Sequence, residues 1–254
     1  MAKRKVVTEE ESKEVERRES SEEESSSDDV EFEWFDPQPE HDFHGLKTLL
    51  RQLFDVDAQS FDLSALTDLI LAQPLLGSTV KVDGNETDPY AFLTVLNLHA
   101  HKSHKAQIGL ILTERLINIP SEVVPPMYTM LLQEISWALE EKEPYEFTHY
   151  LIFSKTYREV TSTLDHEDHR TQKKQKKGGK KASSETFYFH PEDEVLQRHA
   201  LAHGSFEYLK ETGGPDAKRT FQELGIKPEG HLILIEAEKF EAAVTGLREY
   251  FNQH

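Results

Sequence analysis

An α/β or α+β fold, a sheet covered by helices, is predicted by three features of the sequence. Segments rich in β-branched and aromatic residues alternate with segments whose leucines recur at helical spacing. Proline and glycine punctuate the joins. The chain of 254 residues is long enough for one large domain or two small ones.

EFEWFDPQPE, from Glu31, alternates acidic and aromatic residues and reads as a strand stopped by Pro37 and Pro39. HGLKTLLRQLF sets Leu46, Leu49, Leu50 and Leu53 on one helical stripe, and FDLSALTDLILAQ sets Leu63, Leu66 and Ile70 on another that ends before Pro74. Gly77 opens a strand pair, STVKVDG and YAFLTVLNL, joined by the turn-forming DGNETDP. AQIGLILTERLINI, apolar on most sides, is expected to be a buried helix broken at Ile119-Pro120. The next helix starts at Pro125-Pro126, carries Val124, Met127, Tyr128, Leu131, Ile135 and Ala138 on one stripe, and stops by Pro144. THYLIFSKTY is the clearest central strand. TFYFHPEDE reads as a strand leading into a helical or irregular stretch, EVLQRHALAHGSFEYL. A turn-rich segment, the strand HLILIEA and a last helix follow, the helix placing Phe240, Ala243, Val244, Leu247, Tyr250 and Phe251 on one face.

Two regions stand outside this pattern. Residues 1–30 are acidic and serine-rich with no aromatic residue, so they are expected to form a disordered tail. Residues 165–184 hold Lys173, Lys174, Lys176, Lys177, Lys180 and Lys181 without apolar periodicity, and are expected to form a flexible insertion in an otherwise single domain, 31–254.

Composition excludes several classes. No apolar run approaches the length of a membrane-spanning helix, and MAKRKVVTEEESKEV lacks the apolar centre of a secretory signal. With no cysteine, disulfides, thiol catalysis and Cys-ligated zinc are excluded. Lys plus Arg number 29 against 47 Asp plus Glu, a formal charge of −18, which repels nucleic acid and attracts basic proteins.

Motifs of catalysis are scarce. Neither G-x-x-x-x-G-K-[ST], G-x-G-x-x-G nor G-x-S-x-G occurs, and Gly178-Gly179 and Gly213-Gly214 read as turns. His99, His101 and His104 cluster after a strand, and His166 and His169 fall in the charged insertion. His199 and His203 are spaced to share a helix face, but Ala200 stands where H-E-x-x-H needs glutamate. No third ligand accompanies any of these pairs, and neither metal nor cofactor is expected. Asp83, Glu86 and Asp88 suit a turn, and Glu192, Asp193 and Glu194 suit a helix start. Lys3, Arg4 and Lys5, together with the lysines at 173–181, are candidate nuclear-localisation residues. Ser20, Ser21, Ser25 and Ser26 precede acidic residues, as acidophilic kinases prefer.

EFEWFDPQPEHDFHGLKTLL, STVKVDG, YAFLTVLNL, LTERLINIPSEVVPPMYTMLLQEI, FTHYLIFSKTYREV and FYFHPEDEVLQ follow one another in this order. Together they closely resemble the BCCIP family of eukaryotic nuclear proteins, its fungal members above all. The resemblance implies a central, mostly antiparallel mixed sheet flanked by helices, similar to the GNAT acetyltransferase fold but without a coenzyme loop. True enzymes of that fold carry Q/R-x-x-G-x-G/A, where this chain has only Gln107-Ile108-Gly109-Leu110-Ile111. It further implies a non-enzymatic chaperone located in the nucleus, with shuttling to the cytoplasm. Its expected client is a basic large-subunit ribosomal protein, fourteenth in the universal numbering. Expected partners also include nuclear transport factors and a phosphatidylinositol-phosphate kinase, with no membrane insertion and no direct nucleic-acid binding. Alternatives are an adaptor for DNA-repair and cell-cycle regulators, or a degenerate acetyltransferase.

Overall fold

The segments that favour extended backbone assemble into one sheet, in a computed structural model that describes residues 30–73, 76–98, 107–159, 186–209 and 226–252. The expected acidic tail and lysine-rich insertion lie outside the described residues. Strands β1 (Glu33–Phe35), β2 (Ser78–Lys81), β3 (Ala91–Asn97) and β4 (Ile108–Arg115) pair antiparallel in that order. β4 then runs parallel to β5 (His149–Glu159), with Ile108 opposite His149 and Leu112 opposite Phe153. β8 (Ile226–Glu236) is antiparallel to β5 along its whole length, and β7 (Ala202–Phe206) closes that side. The sheet is thus mixed and mostly antiparallel, as expected.

Because β8 fills one edge of β5, two strands share the other. β4 pairs with it as far as Phe153, and β6 (Thr186–Tyr188) takes over from Thr156. Ser154 and Lys155 fall in the gap between them.

Helices cover both faces. Helix α1 (Pro39–Phe54) begins on a proline, whose missing N–H is no loss in a first turn, and α2 (Leu63–Leu71) is capped by the Asp62 carboxylate accepting from Ser64 and Ala65 N–H. Their leucines bury against Phe92, Leu96 and Leu112, which point to one face of β3 and β4. On the other face lie α3 (Val124–Glu140), α4 (Pro191–Arg198) and α5 (Ala237–Asn252). The expected stripe of α3 is buried against Leu93, Val95, Ile111, Ile152 and Ile233, as are Phe240, Ala243, Val244 and Leu247 of α5. Tyr250 and Phe251 pack at the margin of the same core.

Three expectations need correction. The segment from Ile108 to Arg115 is a strand, not a helix. A strand with neighbours on both sides and helices on both faces is apolar without alternation, so its short run looks like a buried helix. Within the stretch 194–209, the helix ends at Arg198 and Ala202–Phe206 is a strand. The last strand starts at Ile226, earlier than HLILIEA, and takes Pro228 into its pairing with Tyr157.

Gly109 illustrates the packing at the β4 entry. A Cβ there would stand 2.8 Å from Val95 Cγ2 and 3.1 Å from both Phe147 Cγ and Tyr150 Cδ1. Gly109→Ala is therefore expected to destabilise the fold by about 1–3 kcal/mol in urea unfolding. A variant as stable as the parent would refute this packing account.

Candidate functional site: a buried charge network and an acidic notch

Where β4 and β5 part, the gap is filled by charge. Glu114 of β4 meets Lys155 Nζ of β5 at 2.5 Å and His190 Nε2, at the start of α4, at 3.3 Å. Gln52, near the end of α1, donates through Nε2 to Glu114 Oε1 (3.1 Å) and the Arg115 carbonyl (2.9 Å), and its own carbonyl accepts from Lys155 Nζ at 3.3 Å. Arg115 pairs with Glu192, and Ser154 donates to Asp193. All except the half-buried Gln52 are buried. Burial pushes the Glu114 carboxyl up, but His190 and Lys155 outweigh it and hold it below its ordinary value. Burial pulls the His190 imidazole down, yet Glu114, Glu192 and Asp193 leave it raised overall. Burial raises the Asp193 carboxyl to about 7, with Glu192 adding to it and His190 and Ser154 opposing. Glu192 and Asp193 do open a helix, as expected, but they face inward as anchors rather than outward as a solvated cap.

A second buried pair joins Asp42 of α1 to Lys81 of β2 at 2.6 Å. The same ammonium donates to the Asn85 carbonyl (2.6 Å) and Asn85 Oδ1 (2.9 Å), which fixes the β2–β3 turn. That turn holds Asp83, Glu86 and Asp88, with Asp83 at φ 62°, so the aspartate serves turn geometry.

A notch of about 240 Å³ opens where the chain leaves β1, enters β2 and passes the middle of α3. Met130, Glu134 and Trp137 line it from α3, at i, i+4 and i+7. Asp36, Gln73, Gly77 and Gln133 complete the polar part of its wall. Gly77 sits at φ 129°, where a Cβ would come within 2.9 Å of the Leu93 carbonyl, and its N–H donates to Glu134 Oε2 at 2.8 Å. Burial raises the Glu134 carboxyl to about 7; the Gly77 N–H opposes this and Asp36 adds to it. Trp137 is 59% exposed. Trp34, in contrast, is half-buried and donates from Nε1 to the Val123 carbonyl at 3.3 Å.

A third feature is a hollow of about 450 Å³ lined by Tyr188, Gln197, His203, Ser205 and His231, among others. Ser205 Oγ lies 2.9 Å from His231 Nδ1, the geometry of a nucleophile beside a base. The further parts of such a pair do not accompany it among the described residues. Burial, with His203 adding, pulls the His231 imidazole down to about 4, and Nε2 has no carboxylate to orient the ring among the described residues. The expected sharing of a helix face by His199 and His203 is corrected here: His199 caps α4, and His203 lies in β7.

The Gln107–Ile111 segment is the β4 entry, not a helix start. The corner that does lead from β4 into a helix, through a short turn at Ser121–Val123, carries Pro120, Pro125 and Pro126. Prolines at 125 and 126 remove two of the N–H groups with which a helix start would cradle a pyrophosphate. The residues present do not fit that group. Lys3, Arg4, Lys5, Ser20, Ser21, Ser25 and Ser26 lie outside the described residues. So do Lys173, Lys174, Lys176, Lys177, Lys180, Lys181, His99, His101, His104, His166 and His169.

Charge is distributed unevenly along the chain. The described residues hold 11 Lys and Arg against 29 Asp and Glu, so they carry the whole −18. The terminal tail and the lysine run, with the other undescribed residues, offset one another.

The family model described as BCCIP matches residues 28–107 and 101–196. Protein bcp1 of Aspergillus fumigatus is 61% identical over 254 aligned positions, covering 87% of each chain. The chain belongs to the BCCIP family. A crystal structure of BCP1 from Saccharomyces cerevisiae, 26% identical, matches this BCCIP fold with a TM-score of 0.62 over 89% of this chain and 92% of that one. A GNAT-family acetyltransferase from Streptococcus pneumoniae lies much further off, at 9% identity and a TM-score of 0.34, over 81% of this chain and 99% of that one.

Two outcomes test this geometry. Lys155→Met leaves Glu114 buried with His190 as its one remaining ion-pair partner among the described residues and is expected to cost about 3–5 kcal/mol, whereas Lys155→Met with Glu114→Leu recovers most of the loss in a double-mutant cycle. Strictly additive losses would show that the two groups do not act as a pair. At Glu134 the raised carboxyl makes ionisation oppose folding, an opposition that grows as pH rises from about 4.5 towards 7. Glu134→Gln, which keeps an acceptor for Gly77, is expected to match the parent at low pH and exceed it by about 1–2 kcal/mol near pH 8. Identical melting profiles at both pH values would contradict a buried, cation-free carboxylate.

Proposed function

We propose that this protein is a non-enzymatic nuclear escort that holds a basic large-subunit ribosomal protein, fourteenth in the universal numbering, until it joins the ribosome. The observation that carries this reading is the charge of −18 concentrated in the described residues. A folded anionic body steers a cationic client and competes with RNA for it. Family membership supports the reading, as does the proline-bearing corner, which suits neither a coenzyme nor acetyl transfer. The Ser205–His231 pair, its imidazole pulled down by burial and without an orienting carboxylate among the described residues, is consistent with the same reading.

Nuclear transport factors are proposed partners through the basic runs at Lys3–Lys5 and Lys173–Lys181. Export of a phosphatidylinositol-phosphate kinase is a further proposed task. Phosphate on Ser20, Ser21, Ser25 or Ser26 would deepen the negative charge.

Co-expression tests the escort directly. The ribosomal protein is expected to be insoluble alone and soluble as a stoichiometric complex with this chain. Capture is expected to weaken sharply by about 0.5 M salt, where screening shortens electrostatic reach to a few ångströms. A client left insoluble sinks the escort reading, and affinity indifferent to salt removes the steering mechanism.

A further inference from the structure

Four buried carboxylates among the described residues are matched by cations. Asp42 meets Lys81, Glu114 meets Lys155, Glu192 meets Arg115, and Glu229 meets Arg158. Glu134 is different. It is 6% exposed, yet among the described residues its side chain meets only the Gly77 N–H, and no Lys, Arg or His lies within ion-pair reach. The carboxyl lines an open notch instead, and the one charged group that bears on it is another acid, Asp36. The amide of Gln73 donates from Nε2 to Thr94 Oγ1 at 3.2 Å, which leaves its oxygen as an acceptor. An exposed indole, Trp137, stands one helical turn from Glu134 on the same stripe.

We propose that this notch receives an arginine side chain of the basic partner, its guanidinium lying on the Trp137 indole and donating to Glu134 and the amide oxygens of Gln73 and Gln133. The assignment rests on the escort reading for the identity of the partner, but not for the chemistry of the site. The volume of 240 Å³ is roughly eight times a water's share of the liquid, room for the planar head and part of its stem. A guanidinium has five donors in a rigid plane, and the wall offers several acceptors beside an aromatic face. Lysine would present a compact, strongly hydrated charge with three donors and no plane to stack. A divalent cation is a poorer match, since among the described residues no group of three His, Cys, Asp or Glu is placed to hold a metal. The arriving cation also supplies what burial denies Glu134, a counter-charge that lowers its carboxyl towards the ordinary range.

The experiment uses the full chain and its two tryptophan indole N–H signals in a proton–nitrogen correlation spectrum. Acetyl-Gly-Arg-Gly-amide is titrated in, with acetyl-Gly-Lys-Gly-amide as comparison. Trp137 is expected to shift saturably while Trp34, engaged with Val123, stays still. The lysine peptide is expected to bind several-fold more weakly. Trp137→Ala, read by calorimetry because it lacks the reporter indole, and Glu134→Gln, read by both methods, are each expected to weaken the arginine peptide roughly five- to tenfold. Trp137 lies at the surface, and the amide introduced by Glu134→Gln would still accept from the Gly77 N–H, so both variants are expected to keep the parent's circular dichroism. An unmoved Trp137 signal, or peptide affinity unchanged in both variants, overturns the proposal. The ribosomal protein is then measured on the same variants. If it binds parent and variants alike, the notch assignment falls and the escort reading stands. If the peptide shifts Trp137 but the ribosomal protein is not retained, the notch stands and the escort reading falls.

Discussion

The fold is organised around one constraint: the parallel strands β4 and β5 separate, and the space between them must be filled. An apolar plug would have sufficed for stability. The chain instead places Glu114, Arg115, Lys155, His190 and Glu192 there, each buried and each answered by an opposite charge. Buried ion pairs gain little net stability over hydrocarbon, but they are intolerant of mismatch. A strand shifted by one residue would turn Lys155 away from Glu114 and leave both uncompensated. The network therefore fixes register among β4, β5, α4 and the end of α1, four elements remote from one another in sequence. Asp42 and Lys81 perform the same service between α1 and β2.

This internal use of cations has a consequence for the exterior. Lys81, Arg115 and Lys155 are committed to internal carboxylates, and Arg158, Arg198, Lys227 and Lys239 are held by neighbouring acids. Few basic groups of the described residues are left to face a partner. Acidic residues such as Glu140, at the end of α3, and Glu141, Glu143 and Glu146, after it, remain exposed. The surface potential of the described residues is thus set by acids, whatever the undescribed segments contribute.

Much of this fold can be read from the sequence, and what cannot be read has a physical reason. The stripes of α1, α3 and α5 are legible because a helix with one buried face repeats its apolar residues at 3.6, and the prolines at 125 and 126 mark the first turn of α3. β4 is illegible as a strand because burial on both faces removes the alternation that identifies one. β7 escapes notice because Ala202–Gly204 are exposed at the sheet's edge and carry little β-forming chemistry. The charge network cannot be found at all. Arg115 and Lys155 are separated by 40 positions, Lys155 and His190 by 35, and only topology brings them together. Glu134 and Trp137 are hidden for a different reason. Inside an amphipathic helix they read as ordinary residues, and nothing in their spacing tells that one is buried without a cation and the other left bare.

Long-range attraction and local fit make different demands on such a surface. A charge of −18 draws in any cationic body, and its influence fades over a Debye length of about 8 Å at physiological ionic strength. That attraction gathers clients without sorting them, since lysine-rich and arginine-rich proteins feel the same field. Sorting requires contact, and contact requires a place where a particular cation does better than water. A carboxylate already stripped of solvent and facing an aromatic plane meets that requirement, because the desolvation that a cation would otherwise have to impose has been imposed by folding. Glu134, held in place by Gly77 and with Trp137 a turn away, is such a place. The same logic explains why Glu114 and Glu192, between β4 and β5, cannot serve: they are buried as deeply, but the chain has already supplied their cations.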